Sequence, residues 1–129
     1  MNILVLEAST TSAKAMLYDT DTGKFDVKSR AYTGNYEDVT MHKADNVYEQ
    51  MIALGREVAA GHEISMISLS GTWHSLFLCD QDMKPVTPVY LWSYTGAAEV
   101  CKELREDPEY VKWFYNKTGC MVNAIYPFF

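Results

Sequence analysis

The sequence predicts an α/β fold, a mixed sheet with packed helices, and three observations carry that reading. Three apolar runs crowd the first 32 residues, separated by clusters of turn formers, and consecutive antiparallel strands of that kind make an N-terminal meander. A helical period takes over from Asn46 to Ala60. A β-rich run follows the helix, and a strand reached through a helix can join the same sheet in parallel.

Taken in order, Ile3–Ala8 and Ala13–Tyr18 are apolar runs of strand length. Ser9-Thr10-Thr11-Ser12 between them forms the polar tip of a hairpin. Asp19-Thr20-Asp21-Thr22-Gly23 is a dense turn cluster, and Phe25–Tyr32 alternates as a third strand. Val47, Met51, Leu54 and Val58 recur at three- and four-residue intervals and line one helical face. Asp45 or Asn46 is the expected cap, and Gly61 stands where a helix commonly stops. Ile64–Leu69 is the next strand; Ser70-Gly71-Thr72 interrupts it, and Ser75–Cys79 is expected to be another. A turn over Asp80–Pro85 leads to the short apolar piece Pro88–Trp92. Ala97–Glu106 and Pro108–Tyr115 are two short helices, with Pro108 suited to a first helical position. No period is visible after Thr118, and the apolar ending Tyr126-Pro127-Phe128-Phe129 reads as a domain that continues into a further element.

Composition narrows the function classes. Hydrophobic residues at 48% and charged residues at 22% are the balance of a globular protein and exclude disorder for most of the 129 residues. Eleven Lys+Arg against seventeen Asp+Glu leave a net charge of -6, which gives no electrostatic reason to expect nucleic acid or an anionic membrane. Cys79, Cys101 and Cys120 are odd in number, widely spaced and without a CxxC pair, the usage of reduced cytosolic thiols. No apolar run has transmembrane length, and Glu7 interrupts the apolar start, so neither a membrane span nor a signal peptide is expected.

Two constellations carry candidate chemistry. The tip Ser9-Thr10-Thr11-Ser12 exposes hydroxyls and backbone N–H groups, which together can hold phosphate oxygens. Lys14 can add a point charge for an anion, and Glu7 can hold Mg²⁺ directly or through water. The same pattern also describes a plain polar turn with a surface lysine. Trp73 and His74 lie between two expected strands, where ligands of α/β proteins bind, and an aromatic face beside an imidazole suits a polyhydroxylated ligand. The pair also fits the edge of a core. Asp19-x-Asp21-x-Gly23 is a turn and no calcium loop, because the twelfth position is Arg30. His42 and His62 are read as isolated surface residues, and Met41, Met51, Met66 and Met83 as packing.

The run from Ile3 to Asp19 resembles the opening hairpin of the FGGY carbohydrate kinases, roughly Asp-x-Gly-Thr-Thr-Ser-x-Lys/Arg before an apolar strand ending in Asp. Ile67–Leu76, with Trp73-His74, is similar to the family segment that carries Gln-Met-His in xylulokinases or Ala-Met-His in gluconokinases. Lys84–Trp92, then Thr118-Gly119-Cys120 and Tyr126-Pro127, follow in the family's order and spacing. The resemblance implies a ribonuclease H-like (actin-like ATPase) domain. Residues 1–129 would be the N-terminal, sugar-side part of a kinase, incomplete and lacking the C-terminal domain.

It further implies transfer of the γ-phosphoryl of ATP to a hydroxyl of a ketopentose such as xylulose, or of gluconate, with Mg²⁺ as cofactor. Thr10, Thr11, Ser12 and Lys14 would face the phosphates, Glu7 the metal, and Trp73 and His74 the sugar. The family's general-base Asp is expected downstream, so no catalytic residue falls within this chain. Sugar and ATP are the implied partners, a homodimer is admitted, and the implied compartment is the cytoplasm. Three departures stand out: Glu7 for Asp, Ser9 for Gly, and Tyr94 and Gly96 in place of the Asp and Arg of a Trp-x-Asp-x-Arg pattern. Ser9, Tyr94 and Gly96 motivate a rival reading, a catalytically inactive kinase-like module that senses sugar. On either reading the chain alone is expected to phosphorylate nothing, and its uncovered apolar surface to promote self-association.

Overall fold

The computed structural model describes residues 1–129. Its main sheet has the order β3-β2-β1-β5, built from β1 (Asn2–Ala8), β2 (Ser12–Asp19), β3 (Phe25–Ala31) and β5 (Met66–Gly71). β1–β2 and β2–β3 are antiparallel, as the meander requires, and β5 lies parallel to β1 with Leu4 opposite Ile67 and Ala8 opposite Gly71. β4 (Met41–His42) and β6 (Val89–Tyr90) form a small antiparallel ribbon that the sequence reading did not anticipate. α1 (Ala44–Ala59) makes the crossover, and α2 (Ala98–Arg105) and α3 (Pro108–Thr118) complete the chain.

Alternation along β1 and β2 places Leu4, Leu6, Ala13, Ala15 and Leu17 on one face of the sheet. Leu54 and Val58 of α1 close over them to form the first core. Ala13 and Ala15 are too small to hold the helix off, and Gly55 brings its backbone down on Leu6: a Cβ there would stand 2.6 Å from a Leu6 methyl. β5 lies beyond the reach of α1. Ile67 and Leu69 share the face of Leu4 and Leu6 but remain 59% and 72% exposed. A second, separate core gathers Ala97, Cys101, Phe114 and Val122, with Phe129 packed on Phe114 at 5.2 Å between ring centroids.

Several local expectations change. Lys43 occupies the cap position of α1 without a side-chain bond, in place of Asp45 or Asn46. The Asn46 amide instead donates to Thr33 O at 2.7 Å and to Asn35 Oδ1 at 3.0 Å, and Gln50 Nε2 donates to Thr33 O at 2.9 Å, so both side chains fasten a distant loop. Strand β5 runs to Gly71 because Ser70 and Gly71 still pair with Glu7 and Ala8. Ser75–Cys79 forms no strand, only the bridges Leu76–Tyr90 and Cys79–Pro85. Side chains replace ladder rungs there: Thr87 Oγ1 accepts from Leu78 N, and Asp80 Oδ1 accepts from both Asp82 N and Lys84 N. The α3 start behaves as read, Pro108 following an Asp107 carboxylate that accepts from Glu109 N and Tyr110 N, and Gly119 ends the helix at a φ of 70°.

Met66 and Met83 are exposed rather than packed, and His42 is buried, 8% exposed, edge-on to Tyr32 at 5.3 Å. Burial pushes the His42 imidazole below its usual range by disfavouring the charged ring. The unfolded chain therefore takes up this proton first as pH falls, so acidification through the ordinary histidine range lowers stability. Melting of the wild type between pH 7.5 and 5.5 should show that loss, and His42→Phe should reduce it. Leu54→Ala opens a cavity under α1 and should cost about 2–5 kcal/mol in urea unfolding.

Candidate functional site

The C-terminal ends of β1 and β5 lie side by side, and the loops that leave them meet. Thr72 Oγ1 donates to Ala8 O at 2.9 Å, which locks the start of the Trp73-His74 loop to the base of the hairpin tip. Adjacent parallel strand ends are where α/β proteins commonly bind ligands.

At the tip, Ser9 N and Ser9 Oγ both donate to Ser12 O, at 3.0 and 2.8 Å, closing the turn. With the Ser9 proton so engaged, the 3.0 Å contact between the two serine hydroxyls takes its hydrogen from Ser12. Ser12 thus helps to hold the turn together. Thr10 and Thr11 are different. Their backbone N–H groups make no backbone hydrogen bond, and Thr11 is exposed. Thr10 Oγ1 accepts a long 3.4 Å bond from Trp92 Nε1, which leaves its own proton free. The tip therefore presents four donors within two residues, the arrangement of an anion-binding nest.

Glu7 and Lys14 are register partners behind this tip and form an ion pair at 3.0 Å on the sheet face opposite α1. Both side chains remain partly exposed, so the pair contributes little to stability, and its value lies in placing one charge of each sign beside the tip. One Glu7 oxygen is held by Lys14, and no cluster of three His, Cys, Asp or Glu surrounds it. A lone carboxylate suits Mg²⁺ when substrate phosphates and waters complete the coordination, since Mg²⁺ rarely takes an all-protein cage. Tyr32 lies close behind: burial and then the Glu7 charge push its hydroxyl up to about 12, and that hydroxyl has no hydrogen-bond partner.

The aromatic half of the site assembles from three distant segments. Trp73 is 79% exposed and His74 is also exposed, so neither belongs to a core. His74 stands at a φ of 56°, a left-handed conformation uncommon for a side-chain-bearing residue. Its ring packs edge-on against Trp73 at 5.5 Å and against Tyr126 at 4.6 Å. Sequence reasoning did not single out Trp92 or Tyr126 as site residues; their contacts with Thr10 and His74 do so. The departures at residues 94 and 96 are coupled. The Tyr94 ring packs at a tilt against Tyr90, 4.7 Å between centroids, and lies so tightly over Gly96 that any Cβ there would collide with it.

Residues 2–129 match the family model described as "FGGY family of carbohydrate kinases, N-terminal domain". A curated glycerol kinase from Francisella tularensis subsp. holarctica is 22% identical over 96% of the chain. The ligand-bound xylulose kinase of Lactobacillus acidophilus superposes with a TM-score of 0.83 at 20% identity, again over 96% of the chain. The gluconate kinase of the same organism superposes at 0.79 with 21% identity over 96%. The chain spans only 26% of the length of each. These likenesses give the fold: the mixed sheet and its helix are those of an actin-like ATPase domain.

The Tyr94–Gly96 coupling predicts a non-additive pair. Gly96→Arg alone should destabilise by about 1–3 kcal/mol, because the ring above it must move. Gly96→Arg together with Tyr94→Asp should recover much of that loss in a double-mutant cycle read by urea unfolding.

Proposed function

The chain belongs to the FGGY family of carbohydrate kinases, as an N-terminal domain, and we propose that it forms the sugar-side wall of an enzyme that phosphorylates a sugar hydroxyl from ATP. One observation carries this reading: the phosphate-type donors of Thr10 and Thr11 and the aromatic group of Trp73, His74, Trp92 and Tyr126 meet at one end of the sheet, joined where Trp92 Nε1 reaches Thr10 Oγ1. Phosphoryl transfer needs the acceptor hydroxyl and the γ-phosphate held together more than it needs covalent chemistry from the protein. Thr10 and Thr11 donate to the phosphate oxygens. Lys14 offsets their charge, and Glu7 takes the metal side while holding Lys14 in place. Glu7 would hold Mg²⁺, which would supply charge neutralisation for the transfer. Trp73 and Tyr126 provide flat faces for the sugar's C–H surface, and the His74 imidazole hydrogen-bonds its hydroxyls.

The proton of the attacking hydroxyl goes to a carboxylate that the rest of the enzyme supplies, so this chain alone turns nothing over. Trp73-His74 favours xylulose or gluconate as the acceptor. The three cysteines are free thiols, in keeping with a cytoplasmic setting. A second reading, sugar sensing without turnover, draws on Tyr94 and Gly96, which leave the loop after Trp92 without the family's two charges.

A coupled ADP-release assay of the complete enzyme, run with xylulose, gluconate and glycerol, separates the readings. Sugar-dependent ADP release supports the kinase. Sugar binding without ADP release supports the sensor, and neither activity overturns both. In the active case His74→Ala should raise the sugar KM about tenfold or more, and Lys14→Ala should lower kcat on the order of 10²-fold.

A further inference from the structure

The main sheet has two open edges, and the chain equips them differently. β3, the outer strand on one side, carries Asp26, Lys28 and Arg30 on the face that α1 covers. Both cations are tied to Glu57 of α1, at 2.8 and 2.7 Å. Charges of that kind keep a foreign strand from adding to an edge. β5, the outer strand on the other side, reads Met-Ile-Ser-Leu-Ser-Gly, with no charge and no proline. All six of its residues are exposed, Ile67 and Leu69 on the α1 face and Met66 on the other. β5 pairs with β1 alone, so every second N–H and C=O along it points outward with no strand to meet. An uncharged, exposed edge of that kind is a template for a further strand.

We propose that the partner of this edge is a second copy of the chain, the two β5 strands pairing antiparallel about a two-fold axis at Ser68. In that register Ile67 of each chain lies opposite Leu69 of the other, on the α1 face, and Met66 lies opposite Ser70 on the other face. Two apolar cross-strand pairs form, and such pairs are the unit of sheet stabilisation. A shift of two residues either way sets Ile67 against Gly71 or Leu69 against Ser65 and loses the match. The β3 edge of a second copy does not serve, because it would set Lys28 and Arg30 against Ile67 and Leu69. The contact therefore closes on itself as a dimer and does not propagate into a filament. The net charge of -6 opposes association, but β5 itself carries none of it. The inference stands whether or not the chain serves a kinase.

The test is sedimentation equilibrium of the 129-residue chain from about 10 μM to about 1 mM, a range suited to a small interface. A reversible monomer–dimer equilibrium is expected, with nothing larger. Over the same range the β5 amides that do not bond β1 should gain protection from hydrogen exchange as dimer forms, while β3 amides stay unchanged. This comparison uses the wild type and needs no variant to fold. Leu69→Lys changes a side chain exposed in the single chain, so it should keep the fold, and it should weaken the dimer about tenfold or more. Phe25→Lys, on β3 and the opposite sheet face, should leave the dimer as it was. A chain that stays monomeric throughout overturns the proposal and leaves the edge to a strand of another protein. A dimer that Phe25→Lys breaks, or that Leu69→Lys spares, pairs through another surface and overturns it too. Assemblies that grow beyond the dimer overturn the two-fold pairing.

Discussion

Helix α1 can lie against β1 and β2 because almost nothing stands between them. Ala13 and Ala15 below and Gly55 above bring two backbones close enough for Leu6, Leu54 and Val58 to fill the remaining space. That close seating fixes the crossover, and the crossover over this face delivers β5 parallel to β1. Parallel pairing in turn sets the ends of β1 and β5 side by side, so the hairpin tip and the Trp73-His74 loop emerge together. A bulkier residue at 13, 15 or 55 would lift the helix, and the two halves of the site would part with it.

The meander, the amphipathic helix and the Pro108 start of α3 were legible because each is encoded locally, in period, turn chemistry and a residue suited to a first helical position. The β4–β6 ribbon was not, since two-residue strands carry no period. Ser75–Cys79 has strand composition, but Thr87 and Asp80 satisfy the backbone donors that a ladder would have used. His42 looked like a lone surface histidine. Its burial comes from Tyr32 and from a ribbon partner 47 positions along the chain, at Val89, and neither is visible in the residues that flank it.

The candidate site divides along the same line. The Thr10-Thr11 tip and the Glu7–Lys14 pair follow from hairpin register, which a reader can count from the sequence. The aromatic half depends on contacts across long separations. Trp92 meets Thr10 over 82 positions, and Tyr126 reaches His74 from the far end of the chain. Only the family resemblance hinted at those segments beforehand, and it did so through order and spacing rather than through any residue's own chemistry. The Ser12 hydroxyl also lies against Ser9 in the turn, a contact that residue type alone does not reveal.

The pairing of β5 with β1 also has a kinetic meaning. The two hairpins of the meander close loops of a few residues, whereas the Thr72–Ala8 bond at the end of the parallel pair closes one of 64. Loop-closure entropy makes the local pairings form first and the long-range parallel one last, after α1 has docked. The end of the sheet that holds the candidate site is therefore the last part of the domain to assemble. During synthesis the Thr10-Thr11 tip exists well before the aromatic group of Trp92 and Tyr126.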